Sequence, residues 1–100
     1  MQATDVFKAL ANERRLQILT WLKEPRRHFR PQADGDLVKD GVCGLLLAEK
    51  LKISQATLSE HMRVLVQAGL VHPKRIKQWT FYRRNDDNIK AIRTLMEEKV

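Results

Sequence analysis

Hydrophobic positions along the chain recur at helical spacing in five stretches and alternate in one. Val6, Phe7, Leu10 and Ala11 mark a first helix over residues 4–11, which Asn12 interrupts as the cap of a second. That second helix is expected over residues 13–23. Leu16, Leu19 and Leu22 repeat every third residue with Ile18 alongside as an inward stripe, leaving Arg14, Arg15 and Lys23 for solvent until Pro25 closes it. From Val42 the pattern resumes as a short apolar helix with Leu45, Leu46, Leu47, Ala48 and Leu51. The connection LKIS follows, in which Lys52 is expected to take the turn conformation that glycine often supplies.

The fourth stretch, SQATLSEHMRVLVQAGL over residues 54–70, carries two faces. Ser54 caps its start and Gly69 ends it. Leu58, Met62 and Leu65, with Val66 beside them, face inward, while Ala56, Ser59, Glu60, Arg63 and Gln67 share the opposite side. A helix built only for solubility usually carries long charged residues there. Short hydrogen-bonding residues allow close approach to a groove. Two helices joined by three or four residues, the second with such a stripe, match helix-turn-helix geometry.

After Gly69 the period changes to alternation. Trp79, Phe81 and Arg83 are set on one side and Thr80, Tyr82 and Arg84 on the other, as in a two-stranded ribbon with Pro73 on an edge. Lys74, Arg75 and Lys77 fall near its tip, suited to phosphate, and a hairpin placed there is a wing. The run NDDN then starts a last helix with Ile89, Ile92, Leu95 and Met96 on one stripe. The expected fold is mainly α with a small β-hairpin wing, a winged helix-turn-helix of four helices, two strands and a fifth helix. It forms a single domain over residues 1–100 with a long loop at about 25–42. That loop mixes Arg26, Arg27 and Arg30 with Asp34, Asp36 and Asp40, and reads as a solvated excursion.

Charge sharpens the picture. Nineteen Lys and Arg against twelve Asp and Glu give a net charge of +7, which favours a polyanionic partner, with duplex DNA first and anionic membrane second. The basic residues are dispersed over loop and wing, which argues against a membrane surface. No run of roughly 18 apolar residues and no basic-then-apolar leader is present, so a cytoplasmic protein is expected. The single cysteine, Cys43, excludes an internal disulfide. It reads first as a small buried residue at a helix start and second as a possible redox site. No glycine-rich phosphate loop, metal-ligand cluster or activated nucleophile stands out, so neither an enzyme nor a cofactor is expected.

The stretches FKALANERRLQIL, LAEKLKISQATLSEHMRVLVQAGLV and WTFYRRN resemble the arsenic-repressor (ArsR/SmtB) family of bacterial winged-helix regulators over nearly the whole chain. The resemblance implies a homodimeric repressor that joins through its first and last helices and is released from an operator by an effector. By the family pattern, Gln55, Ala56, Ser59 and Glu60 face the major groove. The candidate DNA-binding residues are therefore Ser54, Gln55, Ala56, Thr57, Ser59, Glu60, Arg63, Lys74, Arg75 and Lys77. Gln55 suits adenine, Glu60 cytosine N4, the Ala56 methyl a thymine methyl, and Arg63 guanine or phosphate. The candidate dimer residues are Val6, Phe7, Leu10, Ile89, Ile92, Leu95 and Met96.

The sequence departs from the metal sensors of that family. Cys43 stands alone where the thiol site needs a Cys-Val-Cys run, and no histidine follows His72 for the last-helix site, so no metal and an unidentified effector are expected. His61 is expected to make a structural hydrogen bond. The alternative function is a winged-helix module that binds another protein and lacks specific DNA binding.

Overall fold

The computed structural model describes residues 2–100. Helices α1 (Ala3–Leu10) and α2 (Glu13–Lys23) are followed by a one-turn helix α3 (Pro25–His28) and a two-residue strand β1 (Val42–Cys43). Helices α4 (Gly44–Leu51) and α5 (Gln55–Gln67) lead to the hairpin β2 (Val71–Ile76) and β3 (Trp79–Arg84), and α6 (Asp86–Lys99) ends the chain.

Among the described residues the sheet has three strands, not two, in the order β1-β3-β2 and all antiparallel. Val42 faces Tyr82 and Cys43 faces Phe81, so Val42 is strand and the helix expected from it begins at Gly44. Two residues carry too little alternation to announce a strand. β2 is the edge strand on which Pro73 was expected.

One buried cluster joins Val6 and Ala9 of α1, Ile18, Leu19 and Leu22 of α2, Leu47 of α4, and Leu58, Met62 and Leu65 of α5. Two expectations for α2 fail together. Leu16 is 41% exposed and Arg15 is half-buried, because at about 100° per residue the face centred on Ile18, Leu19 and Leu22 passes through position 15 and leaves position 16 at its side. Arg15 donates from Nε to the Ala9 carbonyl at 2.7 Å and from Nη2 to the Lys8 carbonyl at 3.1 Å, which serves the otherwise unpaired end of α1.

The loop expected to be a solvated excursion is pinned. Leu37 is buried in the core cluster. The Gln32 amide donates to the Gly41 carbonyl at 2.7 Å and accepts from the Cys43 N–H at 3.0 Å, holding the outer side of β1. Asp36 accepts from the backbone of Val38 and Lys39, and Asp40 accepts from the Asp36 N–H at 2.7 Å.

The candidate dimer residues divide. Val6, Ile89 and Ile92 are buried within the chain itself and have no surface to offer a partner. Each lies on the side of its helix that closes the core, which the spacing of the stripes does not distinguish from a neighbouring outward side. Phe7 and Met96 are 36% and 38% exposed, and Leu10 and Leu95 are half-buried.

Candidate nucleic-acid interface

The connection between α4 and α5 is short because Lys52 adopts the left-handed conformation, φ 58° and ψ 45°, and closes α4 by donating to the Glu49 carbonyl. Ser54 then caps α5, accepting from the Thr57 N–H at 3.1 Å and donating to the Thr57 hydroxyl at 2.9 Å. Both side chains are committed to the cap. At the other end Gly69 has φ 74°, and Leu70 N–H reaches the Leu65 carbonyl at 3.0 Å, the six-to-one bond that completes a helix C-terminus. Asn88 donates to the Gly69 carbonyl at 2.7 Å, which fixes the start of α6 to the end of α5.

The inward residues Leu58, Met62 and Leu65 are buried, and Gln55, Ala56, Ser59, Glu60, Arg63 and Gln67 are all exposed. They fall within an arc of about 140° on the helix circumference. Among the described residues, the side chains of Gln55 and Ser59 make no hydrogen bond and are free to meet a ligand. Glu60 is different. Its two oxygens take the Arg63 guanidinium in a fork, with Arg63 Nε at 3.0 Å, while Arg63 Nη1 donates to Gln67 Oε1 at 3.0 Å. The hydrogen bond from Arg63 holds the Glu60 carboxyl below its ordinary range. Glu60 therefore stands as the holder of Arg63, with each carboxylate oxygen already accepting from the guanidinium.

His61, on the inner edge of α5, accepts at Nδ1 from Arg15 Nη1 at 3.1 Å. An arginine only donates, so this imidazole is neutral with its proton on Nε2. Burial, then the nearby Arg15 and Arg14, push its pKa below the usual histidine value. The structural hydrogen bond expected of His61 is present, and its partner is a residue expected in solvent.

The wing presents its cations on two sides. Strand register sets Lys74 opposite Phe81 and Ile76 opposite Trp79, whereas Arg75 is opposite Thr80 and Pro73 opposite Tyr82. Thr80 and Tyr82 line, with Gln55, Ser59 and Gln78, a cleft of about 170 Å³ between the wing and the start of α5. Arg75 shares that side. It forms no ion pair among the described residues, and its Nε donates to the Lys77 carbonyl at 3.3 Å. Lys74 is paired with Asp40 and Lys77 with Asp34 at 3.0 Å. Two of the three wing cations set out for phosphate thus meet carboxylates of the loop. Lysine and aspartate so far apart in sequence leave no periodic signal, and only the alternation of charge blocks in the loop hinted at it.

Cys43 is a free, half-buried thiol at the start of α4. Among the described residues no group of three or more His, Cys, Asp and Glu is arranged to hold a metal ion, and no helix is long and apolar enough to cross a membrane.

Comparison with known proteins bears on the same residues. The family model described as bacterial regulatory protein, arsR family, matches residues 43–72, the segment from β1 through α5 into β2. The chain is 42% identical over 100 residues to the uncharacterized HTH-type transcriptional regulator YbzH of Bacillus subtilis (strain 168), covering all of both chains. It is 34% identical over 95 residues to the transcriptional activator HlyU of Vibrio cholerae, covering 95% of this chain and 74% of that protein. The solved structure of HlyU from Vibrio cholerae N16961 matches with a TM-score of 0.64 at 32% identity, covering 96% of this chain and 88% of that one. The homodimeric winged helix-turn-helix DNA-binding domain Mb0332 of Mycobacterium bovis matches with a TM-score of 0.65 at 26% identity, over 96% of this chain and 76% of that one. The chain belongs to the arsR family of bacterial regulatory proteins, and is a transcriptional regulator with a DNA-binding winged-helix fold.

Proposed function

We propose that this chain is a dimeric, cytoplasmic repressor that reads a specific duplex operator, with residues 1–100 acting as one domain. The exposed polar stripe of α5 carries the reading, since Gln55 and Ser59 present unengaged hydrogen-bonding groups beside a wing bearing Arg75. Gln55, Ala56 and Ser59 enter the major groove, and Arg63, aimed by Glu60, contacts guanine or phosphate. Ser54 and Thr57 set the N-terminus of α5, whose free backbone N–H groups suit a phosphate. Arg75 on the wing supplies sequence-independent attraction to phosphate, while Lys74 and Lys77 are engaged by carboxylates of the loop.

Phe7, Leu10, Leu95 and Met96 form the dimer contact, bringing two copies of α5 to half-sites about 34 Å apart. The name of Mb0332, a homodimeric domain, supports a dimer. Relatives bear names of both signs, an activator in HlyU and an arsenical resistance operon repressor in Bacillus subtilis. Release comes from an effector or from oxidation of Cys43.

Selecting bound sequences from random duplexes, with and without oxidant, tests the reading directly. One enriched motif of two half-sites is expected. Ser59→Glu, which sets a carboxylate on the groove-facing stripe, is expected to weaken binding to it by about tenfold or more. Weak, salt-insensitive binding to every duplex would favour a protein-binding module instead.

A further inference from the structure

Lys74 and Lys77 reach the loop from different parts of the wing, one from the middle of β2 and one from the hairpin turn, where it has φ 56°. Each ends on a separate aspartate. The loop that carries the aspartates is held independently of the lysines. Gln32 ties the loop to β1, Leu37 anchors it in the core, and Asp40, whose side chain is 13% exposed, is fixed by the Asp36 N–H. Gly35 between them lies against the Phe81 ring. The carboxylates are thus presented by a built loop, and the flexible partners are the lysines. Ion pairs whose lysine stays about half or more exposed add little to stability. Their effect falls instead on whatever else the lysines bind.

A carboxylate and a DNA phosphate offer an ammonium group the same kind of anionic oxygen. A carboxylate held in place within the same chain competes at high effective concentration. The hydrogen bond from Lys74, and then that from the Asp36 N–H, hold the Asp40 carboxyl below its ordinary range, so it stays ionised wherever DNA is bound.

Building on the DNA-binding reading above, we infer that Asp34 and Asp40 form an acidic clasp that occupies Lys74 and Lys77 and withholds them from phosphate. The clasp lowers affinity for DNA at large and leaves sequence reading to α5, with Arg75 and Arg83 as wing cations outside any ion pair among the described residues. It does so at specific and non-specific sites alike, because the sequence-independent part of the affinity scales with the number of phosphates neutralised.

The test measures binding of the full chain to a random duplex across a salt series, for the parent and for Asp34→Asn with Asp40→Asn. Freeing two lysines is expected to tighten binding at low salt and to steepen the plot of log affinity against log salt by up to about 1.8. The advantage of the variant then shrinks by about tenfold between 50 and 200 mM salt. Glu13→Gln with Glu98→Gln makes the same charge change away from the wing and is expected to leave the slope near the parent's. Adding Lys74→Gln and Lys77→Gln to the clasp variant is expected to return the slope to the parent's. Asp34→Asn alone, which removes only the Lys77 contact, is expected to give about half the change and serves if the double variant fails to fold by circular dichroism. An unchanged slope, or weaker binding at every salt concentration, overturns the clasp and leaves the aspartates as struts for the wing. If the folded parent and all variants bind no duplex at any salt, the DNA-binding reading itself falls.

Discussion

Helix α5 and the wing both keep arginine or lysine beside carboxylate, yet they do so over different distances along the chain. On α5 the pair is Arg63 with Glu60, three residues apart, and the helix alone brings them together. On the wing the pairs span 34 and 43 residues and exist only because the loop is folded against the sheet. A local pair stiffens one side chain on a reading face. A long-range pair makes the charge of one element depend on the placement of another, so the wing's electrostatics are a property of the tertiary fold.

The largest expected effect breaks the long-range side of this contrast. Gly41 has φ 108°, and a Cβ there would lie 2.4 Å from the Tyr82 carbonyl carbon and oxygen. Backbone contact of that kind cannot be relieved by a rotamer change. Gly41→Ala is expected to cost about 3 kcal/mol or more, read from the urea midpoint, because it pries β1 and the loop from β3. Ser54→Ala, which removes the α5 cap, is expected to cost about 1 kcal/mol by the same measurement. Equal losses would mean the loop is no more integral to the fold than a helix cap.

A second pair of variants tests the local side. If Glu60 acts by holding Arg63, Glu60→Gln and Arg63→Ala each weaken operator binding, and the double variant is little worse than either. The expected coupling is about 1 kcal/mol in a double-mutant cycle of binding free energies. Additive losses would show that Glu60 reads a base by itself.

Smaller still is the difference between two wing cations. Arg75→Ala is expected to flatten the salt dependence of random-duplex binding by about 0.9, one phosphate's worth. Lys77→Ala is expected to flatten it by less, since Asp34 already engages that lysine. Equal changes in the parent would remove the distinction between clasped and unclasped charge.

The sequence made the local features legible and hid the long-range ones. Ser54 as cap, Lys52 in the left-handed turn, Gly69 as terminator and the outward stripe of α5 all follow from positions within one or two helical turns. Strand β1 leaves no signal because two residues carry too little alternation, and the pinned loop leaves none because Gln32 acts on residues nine and eleven positions away. Arg15 departs for another reason: its charge alone suggests solvent, whereas the geometry of α2 points it at the end of α1 and at His61.

That last contact supplies the smallest expected effect, and it lies on the inner side of α5, away from the wing. Burial and the neighbouring Arg15 and Arg14 lower the His61 pKa in the folded chain, against a weaker opposing pull from Glu60. The unfolded chain therefore binds the proton more readily, at about the ordinary value of 6.5. Stability is flat above that pH, falls on acidification between 6.5 and the lower folded value, and is flat again once both states are protonated. A protonated imidazole can no longer accept from Arg15, so the link between α1, α2 and α5 is what the proton opposes. His61→Gln keeps an acceptor near Arg15 but cannot titrate. The fall in urea midpoint between pH 7.5 and 5 is expected to be smaller for this variant than for the parent, and an identical fall in both would assign the acid sensitivity to other groups.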